Sequence, residues 1–176
     1  MNKLLMTIAL SSVLVAGANA ADDQGHGKIT FKGSIIDAPC SIDAKSLDQT
    51  VQLGAISKNQ LAGGGKSTPV PLNIQLHDCD AATANKASIT FSGIAGDSAA
   101  GLDGSFAVTG QGAGVGVVIA DLGGNVIKPE IKTSLPALSS GNNELEFQAY
   151  VQGSSASGAV TPGNFASVAN FMMTYE

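Results

Sequence analysis

The chain has 176 residues, which is enough for one domain with its own hydrophobic core. Hydrophobic residues make up 44% of it and charged residues only 13%, and the 22 glycines favour short strands and turns over helices. The formal net charge of −5 and the absence of arginine argue against a nucleic-acid-binding protein, which needs a basic face.

Residues 1–20 have the pattern of a secretory signal peptide. Lys3 supplies the positive charge, residues 4–15 form an apolar run, and Ala18 and Ala20 give a small-x-small cleavage site. A transmembrane anchor is the competing interpretation, but the apolar run is too short to cross a bilayer comfortably. We therefore expect an exported protein whose mature chain begins at Ala21.

Residues 25–33, just behind this signal, alternate with a period of two. Successive side chains of a strand point to opposite faces, so the alternation predicts a strand with one face meant for burial. Glycine weakens a strand unless another backbone must approach closely. Two interpretations remain open, the first strand of an ordinary sandwich and an arm that inserts into a groove on another molecule. The face meant for burial consists of Gly25, Gly27, Ile29, Phe31 and Gly33.

Further strand patterns follow along the chain. Residues 34–42 continue the arm as a strand that Pro39 interrupts or confines to an edge, because proline cannot donate to a ladder. Ser57 can cap a single helical turn that runs to Leu61. About seven strands at this spacing, without a long helical period, predict an all-β, immunoglobulin-like β-sandwich. The later strand patterns lie at 72–76, 86–92, 115–119, 145–151 and 165–175.

The chain has two cysteines, Cys40 and Cys79. In an exported protein an even number of cysteines predicts a disulfide. A metal site is the alternative, but it needs more ligands at short spacing than the sequence offers. We therefore predict one disulfide bond and no metal ion.

No pattern in the sequence predicts a catalytic or cofactor-binding site. Residues 63–67 resemble the end of a phosphate-binding loop, but the first glycine of that motif would fall on Gln60. No Gly-x-Ser-x-Gly motif occurs. His26 and His77 lie on polar faces of predicted strands, where surface positions are expected. We expect a protein that is not an enzyme and binds no cofactor.

Four segments and two single positions form a combined pattern. A glycine, Gly163, stands fourteenth from the carboxyl end, and an aromatic residue, Tyr175, is penultimate. The segments are 27–33, 37–42 around the first cysteine, 76–79 around the second, and 165–175. With this pattern the chain resembles the subunits of chaperone–usher fimbriae, and most of all the major rod subunits of P pili and of mannose-resistant, Proteus-like fimbriae.

The resemblance implies an immunoglobulin-like sandwich over 34–176 that lacks its final strand. A periplasmic chaperone would lend a strand first, and the arm of a neighbouring copy, residues 21–33, would replace it at the outer-membrane usher. The chain would then be the repeating subunit of the shaft of a fimbria on the bacterial surface, supporting adhesion, with tip adhesin or adaptor subunits as further partners.

The resemblance also implies roles for single residues. The buried face of the arm, Gly25, Gly27, Ile29, Phe31 and Gly33, would be the donor strand and would face successive pockets of the groove. The groove edge that the chaperone pairs with would contain Gly163, Phe171, Met173 and Tyr175.

Two other interpretations stay open at this point. The chain could be a minor, adaptor or receptor-binding subunit, although a tip adhesin of this kind would carry an extra domain and would not need a donor arm. It could also be a free-standing secreted sandwich whose own arm completes the fold.

Overall fold

The computed structural model describes residues 27–83 and 85–176. The predicted signal peptide, the predicted start of the mature chain and the predicted donor residue Gly25 lie outside the described residues. The chain divides into two units, Met1–Ile35 and Ile36–Glu176.

The described part of the first unit, residues 27–35, has no strand. Ile29 is 79% exposed and Phe31 is 89% exposed. The strand predicted over 25–33 is therefore wrong for the subunit by itself wherever the structure describes it. Alternation marks which side chains could share a face, but a strand also needs a ladder partner.

The predicted continuation of this strand over 34–42 is also wrong for most of its length, because only Ser41–Ile42 pairs with another strand. The carbonyl of Pro39 accepts a hydrogen bond from the amide of Asp80 at 2.9 Å. Proline has no amide hydrogen, so the chain cannot form a regular ladder across this position.

The second unit is built from short and long strands with two single-turn α-helices. The helices are α1 (Ala44–Leu47) and α2 (Lys58–Leu61), and 3-10 turns lie at Ala62–Gly64 and Ser98–Ala100. The strands are β1 (Ser41–Ile42), β2 (Val70–Cys79), β3 (Ala87–Ser92), β4 (Phe106–Ala107), β5 (Thr109–Gly110), β6 (Val115–Asp121), β7 (Val126–Ile127), β8 (Thr133–Ser134), β9 (Gly141–Gly153), β10 (Phe165–Ala166) and β11 (Asn170–Tyr175).

The strands form two main antiparallel sheets. The larger has the order β1-β2-β9-β6-β4, with β7 paired to β6, and the smaller has the order β11-β3-β8. A short pair, β10-β5, is separate from both. The core contains side chains from both main sheets, among them Ile74 and Phe147 from the larger and Ile89 and Phe91 from the smaller. This is the predicted all-β sandwich.

The alternating patterns of the central strands are confirmed in detail. Ile74 and Leu76 in β2 are almost completely buried, and so are Phe147 and Val151 in β9. Side chains two positions apart share a strand face, so these residues line the interior. Tyr150, on the other face of β9, is also buried, in a small cluster with Val118 and Ala120. These long strands supply many of the buried side chains of the core.

A disulfide joins Cys40, just before β1, to Cys79 at the end of β2. The two positions are 39 residues apart in sequence, and closing such a loop stabilises a fold by roughly 4 kcal/mol in the chain-entropy account. The bond fixes the start of the second unit to the edge of the larger sheet.

The helical turn predicted at Ser57 is present as α2, and the Ser57 Oγ accepts a hydrogen bond from the amide of Asn59 at 3.3 Å. The first helix, α1, was not predicted. Its N-cap is Asp43, whose carboxylate accepts from the amide of Lys45 at 2.8 Å. A helix of one turn has few internal hydrogen bonds, so both α1 and α2 depend on their caps and their packing.

Candidate strand-binding groove

A groove of about 1180 Å³ opens between two long segments of the second unit. The first wall comprises residues 46–56 and the second wall comprises residues 160–171. The floor is formed by apolar core side chains of both sheets, including Leu72, Ile74, Phe91, Phe106, Val115, Val117 and Ile119. An open cleft with an apolar floor is energetically unfavourable in water and indicates a binding surface.

The first wall is not a strand, although residues 51–53 alternate in sequence. Side chains fasten it to β2: the Ser46 Oγ accepts from the backbone amide of Gln75 at 3.0 Å, and the side-chain Nε2 of Gln49 donates to the carbonyl of Asn73 at 2.9 Å. Leu53 and Ile56 pack against a small apolar cluster at its far end. This wall therefore keeps most of its backbone groups out of any sheet.

The second wall contains β10 and leads into β11. The strand predicted over 165–175 is therefore interrupted: β10 pairs with β5, residues 167–169 belong to no strand, and β11 pairs with β3 from Asn170 opposite Ser92 to Tyr175 opposite Ala87. In the part of the chain that the structure describes, β11 has a strand neighbour on one side alone. Its other edge therefore offers unpaired backbone groups to an added strand.

Phe171, Met173 and Tyr175 lie on one face of β11 and pack partly buried against the core. Phe171 lines the groove, and the rings of Phe91 and Phe171 are 6.4 Å apart. Burial raises the pKa of the Tyr175 hydroxyl, and this oxygen has no hydrogen-bond partner among the described residues. The predicted edge residues therefore share one face, with Phe171 in the groove and the other two continuing along the strand.

Gly163 also lines the groove, in its second wall. It has a φ of 154°, and a Cβ at this position would lie 2.6 Å from the amide nitrogen of Gly112. A side chain has no room there, so the close approach of two backbones explains the glycine. Gly112, a residue that the sequence did not single out, is the other half of this contact.

The predicted donor residues that the structure describes are Gly27, Ile29, Phe31 and Gly33, and they belong to the first unit. A Cβ at Gly27 or Gly33 would lie in open space, so local structure does not require glycine at either position. Ile29 and Phe31 expose large apolar side chains to water.

One charged cluster lies beside the first wall, next to α1. His77 Nε2 is 3.2 Å from Asp43 Oδ2, and His77 Nδ1 is 3.2 Å from Asn142 Oδ1. Hydrogen bonding to Asn142, and then to Asp43, raises the pKa of His77. The pKa of Asp43 is lowered, chiefly by the hydrogen bond from the Lys45 amide and then by His77. The cluster ties the cap of α1 to β2.

The described ranges, 27–83 and 85–176, contain neither a metal-binding cluster nor a membrane-spanning helix. No group of three or more His, Cys, Asp or Glu side chains in them is arranged to hold a metal ion. No helix in them is both long and apolar enough to cross a membrane.

Comparison with known proteins identifies the family. Residues 29–176 match the family model described as fimbrial protein. The chain belongs to the fimbrial protein family. It is 46% identical to the Fimbria A protein of Serratia marcescens, over all of this chain and 99% of that protein. It is 43% identical to the major MR/P fimbria protein of Proteus mirabilis strain HI4320, with the same coverage.

A solved structure agrees with this assignment. A chain from a chaperone–usher pilus, in a study of rod uncoiling, is 38% identical and has a TM-score of 0.72, over 87% of this chain and 97% of that one. The fold is thus the immunoglobulin-like pilin fold, and the resemblance drawn from the sequence is confirmed. The protein is a structural subunit of a fimbrial shaft, exported through the periplasm to the cell surface.

Proposed function

We propose that the groove of one subunit receives residues 25–33 of the next subunit as an added strand, and that repetition of this contact builds the shaft. The observation that carries the proposal is the open edge of β11. In the described chain β11 pairs with β3 on one side, its other edge has no strand partner, and the strand borders a groove with an apolar floor. Strand addition of this kind, including donor-strand complementation of pilins by their chaperones, is a known mode of peptide recognition.

The arm combines apolar side chains for the floor of the groove with backbone groups for its open edge. Ile29 and Phe31 are exposed in the subunit, and full burial of each contributes about 1.5–3 kcal/mol. Each backbone hydrogen bond made with the open edge adds about 0.5–1.5 kcal/mol. Gly27 lets the two backbones approach closely at a narrow point, since it brings no side chain. His26, Lys28, Thr30 and Lys32, on the opposite face, stay in water.

A subunit with an empty groove exposes apolar surface and an open strand edge, and both promote aggregation. A periplasmic chaperone therefore covers the groove first, pairing with the edge that contains Gly163, Phe171, Met173 and Tyr175. An outer-membrane usher then brings the arm of the next subunit to replace the chaperone strand. Tip adhesin or adaptor subunits join the polymer by the same contact. The protein acts by assembly and catalyses no reaction.

Removing residues 21–32 tests the proposal. The truncated subunit should still co-purify with its chaperone, because the groove belongs to residues 36–176, but it should not donate a strand and should not extend a fibre. Fibre formation by purified chaperone complexes, followed by electron microscopy, measures this. Fibres of the usual length from the truncated subunit would contradict the proposal.

A second measurement addresses the alternative in which the arm completes its own subunit. A chaperone-free full-length monomer that stays soluble and resists unfolding would support that alternative. Aggregation or rapid polymerisation of the same sample is the result we expect.

A further inference from the structure

We propose that residues 107–113 form a bracket that holds residues 161–167 of the second groove wall in place before the arm of the next subunit enters. Gly112 is the residue that allows the bracket to close. This inference rests on the proposed function, because it concerns how the groove is prepared for the arm.

Backbone hydrogen bonds connect the bracket to the wall. The amides of Gln111 and Gly112 both donate to the carbonyl of Asn164, at 2.9 and 3.0 Å. Ala113 and Thr161 donate to one another's carbonyls, at 3.2 and 2.9 Å. Four bonds within so short a segment fix the position of the wall relative to the bracket along its length.

Side chains add two bonds at the other end of the bracket. The Ser167 Oγ donates to the carbonyl of Ala107 at 2.8 Å, and the Thr109 Oγ1 donates to the carbonyl of Ala166 at 3.3 Å. Beyond residues 167–169 the chain continues as β11, which pairs with β3 instead. Two separate supports therefore hold this side of the groove: the bracket holds residues 161–167, and the six-residue ladder with β3 holds β11.

The bracket can close because position 112 has no side chain. A Cβ at Gly112 would lie 2.6 Å from the carbonyl oxygen of Gly163 and 3.5 Å from the Cβ of Phe165. Gly112 does not have a positive φ, so its backbone would accept another residue and the contact with the wall is the obstacle. Any larger residue at 112 must displace the wall from its present position.

The position of the wall matters because an incoming strand has to align its backbone groups with it. A wall that is already placed needs no reordering when the strand enters, which lowers the cost of binding. Displacing it should slow strand uptake while the ladder between β11 and β3 stays intact. Gly112 is thus a positioning residue, which acts on the strand through Gly163 and its neighbours.

The experiment compares Gly112→Ala with Gly124→Ala in chaperone-bound full-length mature subunits. Gly124 has a φ of 84° and open space around its Cβ, so alanine strains the fold there without touching the groove. The probe is a fluorescent peptide of residues 21–33, whose uptake is followed by anisotropy. We expect Gly112→Ala to slow uptake about tenfold, since overpacking raises the barrier, and Gly124→Ala to leave the rate unchanged. Equal rates for Gly112→Ala and the unaltered subunit would overturn the inference.

Hydrogen exchange in the unaltered subunit gives a second test, which needs no variant to fold. The amides of Gln111, Gly112, Ala113 and Thr161 should be protected in the chaperone complex before peptide is added. Free exchange of these amides until the peptide enters would overturn the inference. If the unaltered subunit takes up no peptide at all, the proposed function fails, and the protection of these amides still decides whether the bracket exists.

Discussion

The rings of Phe91 and Phe147 meet edge to face, with centroids 5.5 Å apart and planes at 90°. Phe91 belongs to β3 in the smaller sheet and Phe147 to β9 in the larger, so this contact joins the two layers of the sandwich. Phe91 also lines the floor of the groove. The core that holds the sheets together is therefore continuous with the surface that the added strand covers.

Replacing Phe147 should weaken the sandwich as a whole. Phe147→Ala removes a buried ring that is only 3% exposed, and such changes typically lower the free energy of unfolding by about 3–5 kcal/mol. Urea denaturation of the subunit with bound arm peptide measures the loss. Leu122→Ala, at a side chain that is 65% exposed, is the control and should change stability by less than about 0.5 kcal/mol. Similar losses in the two variants would mean that Phe147 is not a core residue.

His77 should make stability depend on pH near neutrality. Its ring nitrogens face oxygens of Asp43 and Asn142, and only the protonated ring can donate to both. Since the folded pKa is raised above 6.5, this contribution is complete below that pH and is lost as the pH rises through the folded value. Both His77 and Asp43 are about one-third exposed, so the effect should be small.

The measurement is chemical denaturation from about pH 5 to about pH 8, the range in which histidine titrates. The unaltered subunit should lose stability over this range relative to His77→Asn, which has no titrating ring. Asp78 also favours the charged ring, so Asp78→Asn should reduce the dependence without removing it. Parallel pH profiles for the unaltered subunit and His77→Asn would exclude this role of His77.

Strands could be predicted from the sequence where apolar and polar residues alternate along them. In β2 and β9, inward residues such as Ile74 and Phe147 alternate with polar neighbours, so burial is encoded locally. Residues 46–56 could not be predicted in this way. Their course depends on bonds to β2, such as that between Ser46 and Gln75, which are 29 positions apart. No local pattern encodes such a contact.

In the groove, too, features encoded by a local pattern could be predicted, and contacts between distant positions could not. The inward face of the tail, with Phe171 and Tyr175, follows from alternation. The contact between Gly112 and Gly163 does not, because it joins backbones about 50 positions apart in sequence and leaves no side-chain signal. Glycines at every second position from 110 to 116 are the one sign of it that the sequence contains.

Replacing two aromatic residues of the tail should abolish chaperone binding. The double variant Phe171→Ala and Tyr175→Ala removes the partly buried face of β11 beside its open edge. Loss of that face should disorder the edge with which the chaperone strand pairs, so the subunit should no longer co-purify with its chaperone. Met172→Ala is the matched control, because Met172 lies on the opposite face of the same strand and is 63% exposed. Normal recovery of the double variant would show that the chaperone binds elsewhere.

Arm peptides with single changes should show which face of the arm enters the groove. Gly27→Leu places a large side chain where the backbones must approach closely, and overpacking typically costs about 1–3 kcal/mol. A peptide of residues 21–33 with this change should displace the chaperone about tenfold more slowly than the natural peptide. Thr30→Leu puts the same side chain on the opposite face, where it stays in water, so this peptide should enter at nearly the natural rate. The measurement is formation of the peptide–subunit complex over time, and equal rates for the two altered peptides would mean that the face containing Gly27, Ile29 and Phe31 is not the inserted one.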